Sequence, residues 1–173
     1  MRYFFLVFVI ILISACQTTD YNNNSNDIRL PTNNPAFKAA QYLGYTERTH
    51  RTELRELVGV DPVRTEWCAA FVNSVLNESG ISGSESVSDV PLMARSFLNW
   101  GNKVSEEDIK PGDIVVFPRG SVGWQGHVGF YLKTEIINGR KYYLILGGNQ
   151  NNKVSIVTYP ASKALGIRRQ IRI

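Results

Sequence analysis

The spacing of apolar residues changes about three fifths of the way along this chain, and that change constrains the fold more than any other feature. Up to Gly101 the apolar positions recur at helical spacing. Asn34-Pro35 is a helix start, with a capping side chain and proline at the first helical position, followed by Phe37, Ala40, Tyr42 and Leu43. Thr52 to Val58 carries Leu54, Leu57 and Val58 on one side and stops at Gly59. Trp67 to Ser79 aligns Cys68, Phe71, Val72, Val75 and Leu76, and Gly80 caps it. A fourth helix is predicted from Asp89-Val90-Pro91 to Trp100, stopped by Gly101. Beyond the Pro111-Gly112-Asp113 turn the apolar runs are short and β-rich: Ile114–Phe117, His127–Leu132, Tyr143–Leu146, Val154–Thr158 and Ile167–Ile173. Asn138-Gly139 sits between two of them and suits a type I′ hairpin turn. Helices first and an antiparallel sheet after predict an α+β domain.

The N-terminus is built for export. Met1-Arg2 precedes an unbroken apolar run, Tyr3 to Ile13, which is shorter than the roughly 20 residues a spanning helix needs. A positive start, a short apolar core and small residues before a cut site form a secretory signal, here residues 1–15. Ile13-Ser14-Ala15-Cys16 resembles a lipoprotein cleavage site, which implies lipid on Cys16 and a membrane anchor. Residues 16–34 are then a flexible tether, because their Asn, Thr, Ser and Asp bury too little to repay ordering. Such a tether spans about 25 Å on average and roughly 60 Å stretched. Gln17 is not the aspartate that marks inner-membrane retention, so the expected site is the outer membrane, facing the periplasm.

Residues 35–173 fit one domain and are expected to be monomeric. The chain has 19 basic against 15 acidic residues, and loss of Arg2 with the leader leaves +3. That mild excess suits an anionic polymer such as a cell wall. It does not suit nucleic acid, since no basic stripe interleaved with aromatics occurs. No cluster has metal-ligand spacing, so no metal or cofactor is expected.

With Cys16 lipidated, Cys68 is the one remaining thiol, and an unpaired cysteine in an exported chain points to reactivity. Its place at a helix start favours thiolate, through the free N–H groups and the dipole. The same N–H groups could receive an oxyanion. His127, framed as Gly126-His127-Val128-Gly129, is the candidate base, and the glycines suit close approach of a substrate backbone. His50, among charged residues between two helices, reads as a surface residue. A partner for the second ring nitrogen is needed. Asn149 is the preferred candidate and Gln150 the alternative; Asp113 has a sufficient role in its turn. Trp67, Trp124 and Gln125 flank the site as candidate substrate contacts. The pair is expected to work as thiolate and imidazolium.

Four blocks, in order, carry a family resemblance: Glu66-Trp67-Cys68-Ala69-Ala70-Phe71-Val72-Asn73, Pro111 to Phe117, Gly123 to Tyr131, and Leu146-Gly147-Gly148-Asn149-Gln150. They resemble NlpC-like and CHAP-type (cysteine, histidine-dependent amidohydrolase/peptidase) domains, most closely a proteobacterial NlpC-like subgroup. The resemblance implies a papain-like fold, with N-terminal helices packed on a C-terminal antiparallel sheet. It implies hydrolysis of peptidoglycan stem-peptide amides, by an endopeptidase or an amidase, through a thioester. Nucleophile, base and third residue map onto Cys68, His127 and Asn149. An acyltransferase or thioesterase on the same scaffold, or an inactive peptidoglycan-binding lipoprotein, are the alternatives. Two departures stand out. Glu66 and its neighbours Arg64 and Thr65 occupy the region where relatives often carry a glutamine, and an ionised Glu66 cannot donate a hydrogen bond. No histidine follows His127.

Overall fold

The computed structural model describes residues 30–171. The leader, Cys16 and most of the tether lie outside them. The last tether residues are part of the fold. Leu30 packs against the core, and Asn34 caps the first helix by accepting from the Ala36 N–H while its amide donates to the Pro111 carbonyl.

Three helices come first: α1 (Pro35–Ala40), α2 (Arg51–Val58) and α3 (Cys68–Glu78). Each ends as its residues dictate. Gly59 takes a left-handed conformation (φ 71°) after α2. After α3, the Ile81 and Gly80 N–H groups close back onto the Leu76 and Asn77 carbonyls. The strands follow: β1 (Asn102–Lys103), β2 (Ile114–Pro118), β3 (Gly126–Ile137), β4 (Arg140–Gly147), β5 (Ser155–Pro160) and β6 (Gly166–Arg169). They form one antiparallel sheet in the order β1-β6-β2-β3-β4-β5. The helix-then-sheet reading therefore holds. The sheet is buried on both faces at its centre, which is why β2 is an uninterrupted apolar run. Ile114, Val116, Val128, Phe130, Leu132 and Leu146 face the helices, while Val115, Phe117, Tyr131, Tyr143, Ile145 and Ile167 build a second core behind the sheet.

Several elements differ from expectation. The predicted fourth helix is a 3-10 segment, Ala94–Asn99. The Pro91 carbonyl, which an α-helix would offer to the Arg95 N–H, instead accepts from Asn73 Nδ2 (2.9 Å) and Ser84 Oγ (3.3 Å). The expected His127–Leu132 segment runs on to the hairpin as one strand, β3, whose register against β4 shifts between Tyr131 and Lys133. That irregularity breaks the alternation that sequence patterning relies on. The hairpin turn is as expected, with Asn138 (φ 50°) and Gly139 (φ 72°) both left-handed. The two-residue β1 carries no sequence signal, and β5 and β6 each start one residue away from the predicted position.

Candidate active site

Cys68 is the first residue of α3 and is only 3% exposed. Trp67, at the cap position, offers no side-chain acceptor to the free N–H groups there. They remain available to a negative charge. The thiol sits 4.0 Å from the Gly126 carbonyl, one residue before the candidate base. β3 thus delivers its first residues to the start of α3.

His127 is 2% exposed, opposite Phe117 in the β2–β3 register. Its ring stacks on Tyr159 of β5, with centroids 5.3 Å apart and an interplanar angle of 20°. Tyr159 stacks in turn on Phe117 at 4.6 Å. The ring's second contact is with Gln150, whose Oε1 lies 3.1 Å from Nε2. The Gln150 amide has only one sensible orientation. Its Nε2 donates to the carbonyls of Ile145, Gly147 and Ser155, so Oε1 is the atom left for the imidazole. An amide oxygen can only accept, so His127 Nε2 carries the proton and Nδ1 keeps its lone pair. Nδ1 is buried without a hydrogen-bond partner among the described residues. A neutral imidazole in this tautomer can take a proton at Nδ1. The thiol and Nδ1 are not hydrogen-bonded to each other, and such contacts are often long before substrate binds.

Asn149, preferred from sequence for this contact, does not make it. Its φ of 56° is left-handed, and the turn swaps which of two neighbouring side chains faces inward. Gln150 points to the imidazole, whereas Asn149 Nδ2 donates to Glu66 Oε2 at 2.7 Å. Two groups that sequence reading overlooks complete the surroundings. Arg119, in the loop after β2, donates to the Asn149 carbonyl (2.9 Å) and lies 3.1 Å from Glu66 Oε2. Tyr159 closes over the imidazole. Neither carries a sequence signal, being a lone arginine beside a glycine and one residue of an alternating strand.

The electrostatics oppose the expected resting ion pair. Burial pushes the Cys68 thiol up, a shift eased by the nearby Arg119 charge and by the Val128 and Ala69 N–H groups, while Glu66 adds to it. Burial pushes His127 down to about 4, Arg119 pushes the same way, and the Gln150 contact only partly offsets them. Both groups rest neutral.

Other sequence candidates have structural explanations. Trp67 is fully buried, edge-on to Phe71, and donates from Nε1 to Glu47 Oε1 at 2.7 Å. Gln125 folds back on its own loop, where Oε1 accepts from the Ser121 and Val122 N–H groups. Trp124 is 62% exposed beside it and remains open to a ligand. The glycines near the site are set by the protein's own packing. A Cβ on Gly129 would stand 2.5 Å from Ile145 Cγ2, and one on Gly148 2.5 Å from Trp67 Cζ3. Asp113 is buried in a two-pronged pair with Arg169. His50 is half-buried and stacks on Tyr45. Among the described residues no group of three or more His, Cys, Asp or Glu could hold a metal, and no helix is long and apolar enough to cross a membrane.

A helix-borne cysteine set against a histidine on the neighbouring antiparallel sheet is the arrangement of the papain-like fold. More narrowly, the chain belongs to the CHAP domain family, whose model matches residues 60–149. Two solved structures share the fold. One is an NlpC/P60 family protein from Bacillus cereus ATCC 10987, with TM-score 0.50 and 17% identity over 85% of this chain and 43% of that one. The other is described as similar to lipoprotein, NLP/P60 family, from Staphylococcus aureus subsp. aureus Mu50, with TM-score 0.50 and 15% identity over 91% and 46%. The chain spans less than half the length of either. No curated protein matches it in sequence.

Proposed function

We propose that this protein is a peptidoglycan-related hydrolase that cleaves amide bonds in stem peptides, as an endopeptidase or amidase. Membership of the CHAP family supports the class, and one observation supports the chemistry. His127 is held by Gln150 through Nε2 while its buried Nδ1 stays unpartnered, with the Cys68 thiol against the adjoining backbone. In this reading Nδ1 takes the thiol proton as Sγ attacks the carbonyl, and a tetrahedral oxyanion forms near the start of α3. Nδ1–H then protonates the leaving amine as the C–N bond breaks, which leaves a thioester. Water, deprotonated by the same nitrogen, hydrolyses the thioester and frees Cys68. Gln150 takes the orienting role first assigned to Asn149. Trp124 is the remaining candidate for substrate contact, and the working unit is a monomer. Cys16 anchors the protein by lipid, facing the periplasm and on the outer membrane.

The neutral resting pair and the missing thiol–imidazole hydrogen bond favour a second reading, a binding lipoprotein without activity. Incubation with purified peptidoglycan decides between them, with released fragments identified by mass spectrometry beside Cys68→Ala. Fragments that require Cys68 establish the hydrolase, and their masses name the bond. Co-sedimentation with the wall and no fragments from either protein would establish the binder.

A further inference from the structure

Arg119 occupies a position that neither nucleophile nor base accounts for. Its guanidinium bridges two separate stretches of chain, the one entering α3 and the one holding the imidazole. It reaches Glu66, two residues before Cys68, and the carbonyl of Asn149, one residue before Gln150. The Asn149 side chain closes the triangle on Glu66. Arg119 Nη1 is itself out of solvent and meets Glu66 Oε2 at 3.1 Å as an ion pair without hydrogen-bond geometry, although the side chain as a whole is 38% exposed. A guanidinium fits such a bridge, because its planar fork serves two acceptors at once and its charge persists at any working pH.

We infer that Arg119 is a positioning residue: it straps the Glu66–Cys68 segment to the Asn149–Gln150 turn and fixes a permanent positive charge beside the thiol. The inference rests on the hydrolase reading for its purpose but not for its test. It also gives Glu66 a reason to stand before the nucleophile, as the anchor that holds the guanidinium. The physical logic follows from the site's burial. With His127 held neutral, the imidazole supplies little charge to favour thiolate, so a cation that cannot lose its proton must supply it. The charged and titratable groups facing Cys68 are Arg119, Glu66, His127 and Tyr159. Arg119 draws the thiol down and Glu66 draws it up, so the two make opposite predictions.

The test is the pH dependence of Cys68 alkylation by iodoacetamide, which requires no substrate turnover. The full chain would carry Cys16→Ser, leaving Cys68 as the single thiol. Arg119→Gln is expected to move the alkylation midpoint up by about one pH unit, roughly tenfold in rate below the midpoint, because Glu66 cancels part of the field. Arg119→Lys should recover most of that shift, and Glu66→Gln should move the midpoint down. Thermal melting of each variant reports folding separately. A wild-type midpoint in both Arg119→Gln and Glu66→Gln, with only the melting temperature changed, would reduce Arg119 to a structural strap and overturn the inference. Should Arg119→Gln fail to fold, Arg119→Met takes its place: an upward shift supports the role, and no shift refutes it. A protein inert toward peptidoglycan whose alkylation still shifts this way would sink the hydrolase reading and leave Arg119 in place.

Discussion

Replacing Gln150 by alanine should do far more damage than replacing Asn149, although Asn149 is the natural choice from sequence. Gln150 donates to backbone carbonyls and offers Oε1 to the imidazole, all in a site that is 3% exposed. Without Oε1, the Nε2–H of His127 is stranded in a buried place, at a cost of about 1–3 kcal/mol. The ring escapes that cost by turning, or by moving its proton to Nδ1, and either change removes the acceptor that should face the thiol. A loss of about 2 kcal/mol from the productive arrangement is roughly thirtyfold in kcat. The stranded carbonyls should also lower Tm by roughly 5–10 °C for a domain of this size. Asn149→Ala removes a hydrogen bond to an exposed carboxylate and puts an alanine at a left-handed φ, while the carbonyl that holds Arg119 remains. Its kcat should fall by no more than about threefold, the value of one weak contact. Initial rates of fragment release, with the imidazole tautomer read by 15N NMR, would measure both variants. An inactive Asn149→Ala beside an active Gln150→Ala would refute the assignment of the third residue.

Three further outcomes follow from the same geometry. His127 is depressed to about 4 from an unfolded value near 6.5, so the folded state resists protonation. Stability should be complete above about pH 6.5 and fall by about 3 kcal/mol as pH drops toward 4, a decline that His127→Asn should flatten in denaturant titrations. Arg169→Ala leaves the Asp113 carboxylate buried without its counter-charge and should cost about 3 kcal/mol by chemical denaturation, with kcat of the folded fraction unchanged. Gly148→Ala drives a methyl into Trp67 and Phe71 and should cost about 1–3 kcal/mol, read as a lower melting temperature.

What could be read from sequence was whatever depends on short-range rules. The Asn34-Pro35 start, the Gly59 stop and the Asn138-Gly139 turn are local chemistry, and each stands where its residues put it. The change from helical to strand patterning reports burial that neighbouring residues share. The placement of Cys68 at the start of α3 was legible for the same reason. Most of the failures involve a contact with residues distant in the chain. The segment after Pro91 looks helical until Asn73 and Ser84 take its carbonyl. Trp67 looks like a substrate platform until Glu47, twenty residues away, is seen to bind its indole N–H. Asn149 and Gln150 are equivalent as letters, and only a left-handed backbone angle separates them. Arg119 gains its position from two acceptors on either side of it in sequence, neither of which predicts the other.

The amide in the third position has a consequence for the conditions in which the protein can work. A carboxylate or a second histidine there would change charge over the range in which cell envelopes acidify, and the ring it steadies would loosen with it. Gln150 has no proton to gain or lose under such conditions. The aim of the imidazole is therefore the same in a neutral medium and in an acidic one. Acid acts on the imidazole by protonating His127 itself, and its burial places that event near pH 4. The orientation of the ring is thus separated from the medium's acidity, at the sacrifice of the extra imidazolium stabilisation that a charged partner would provide.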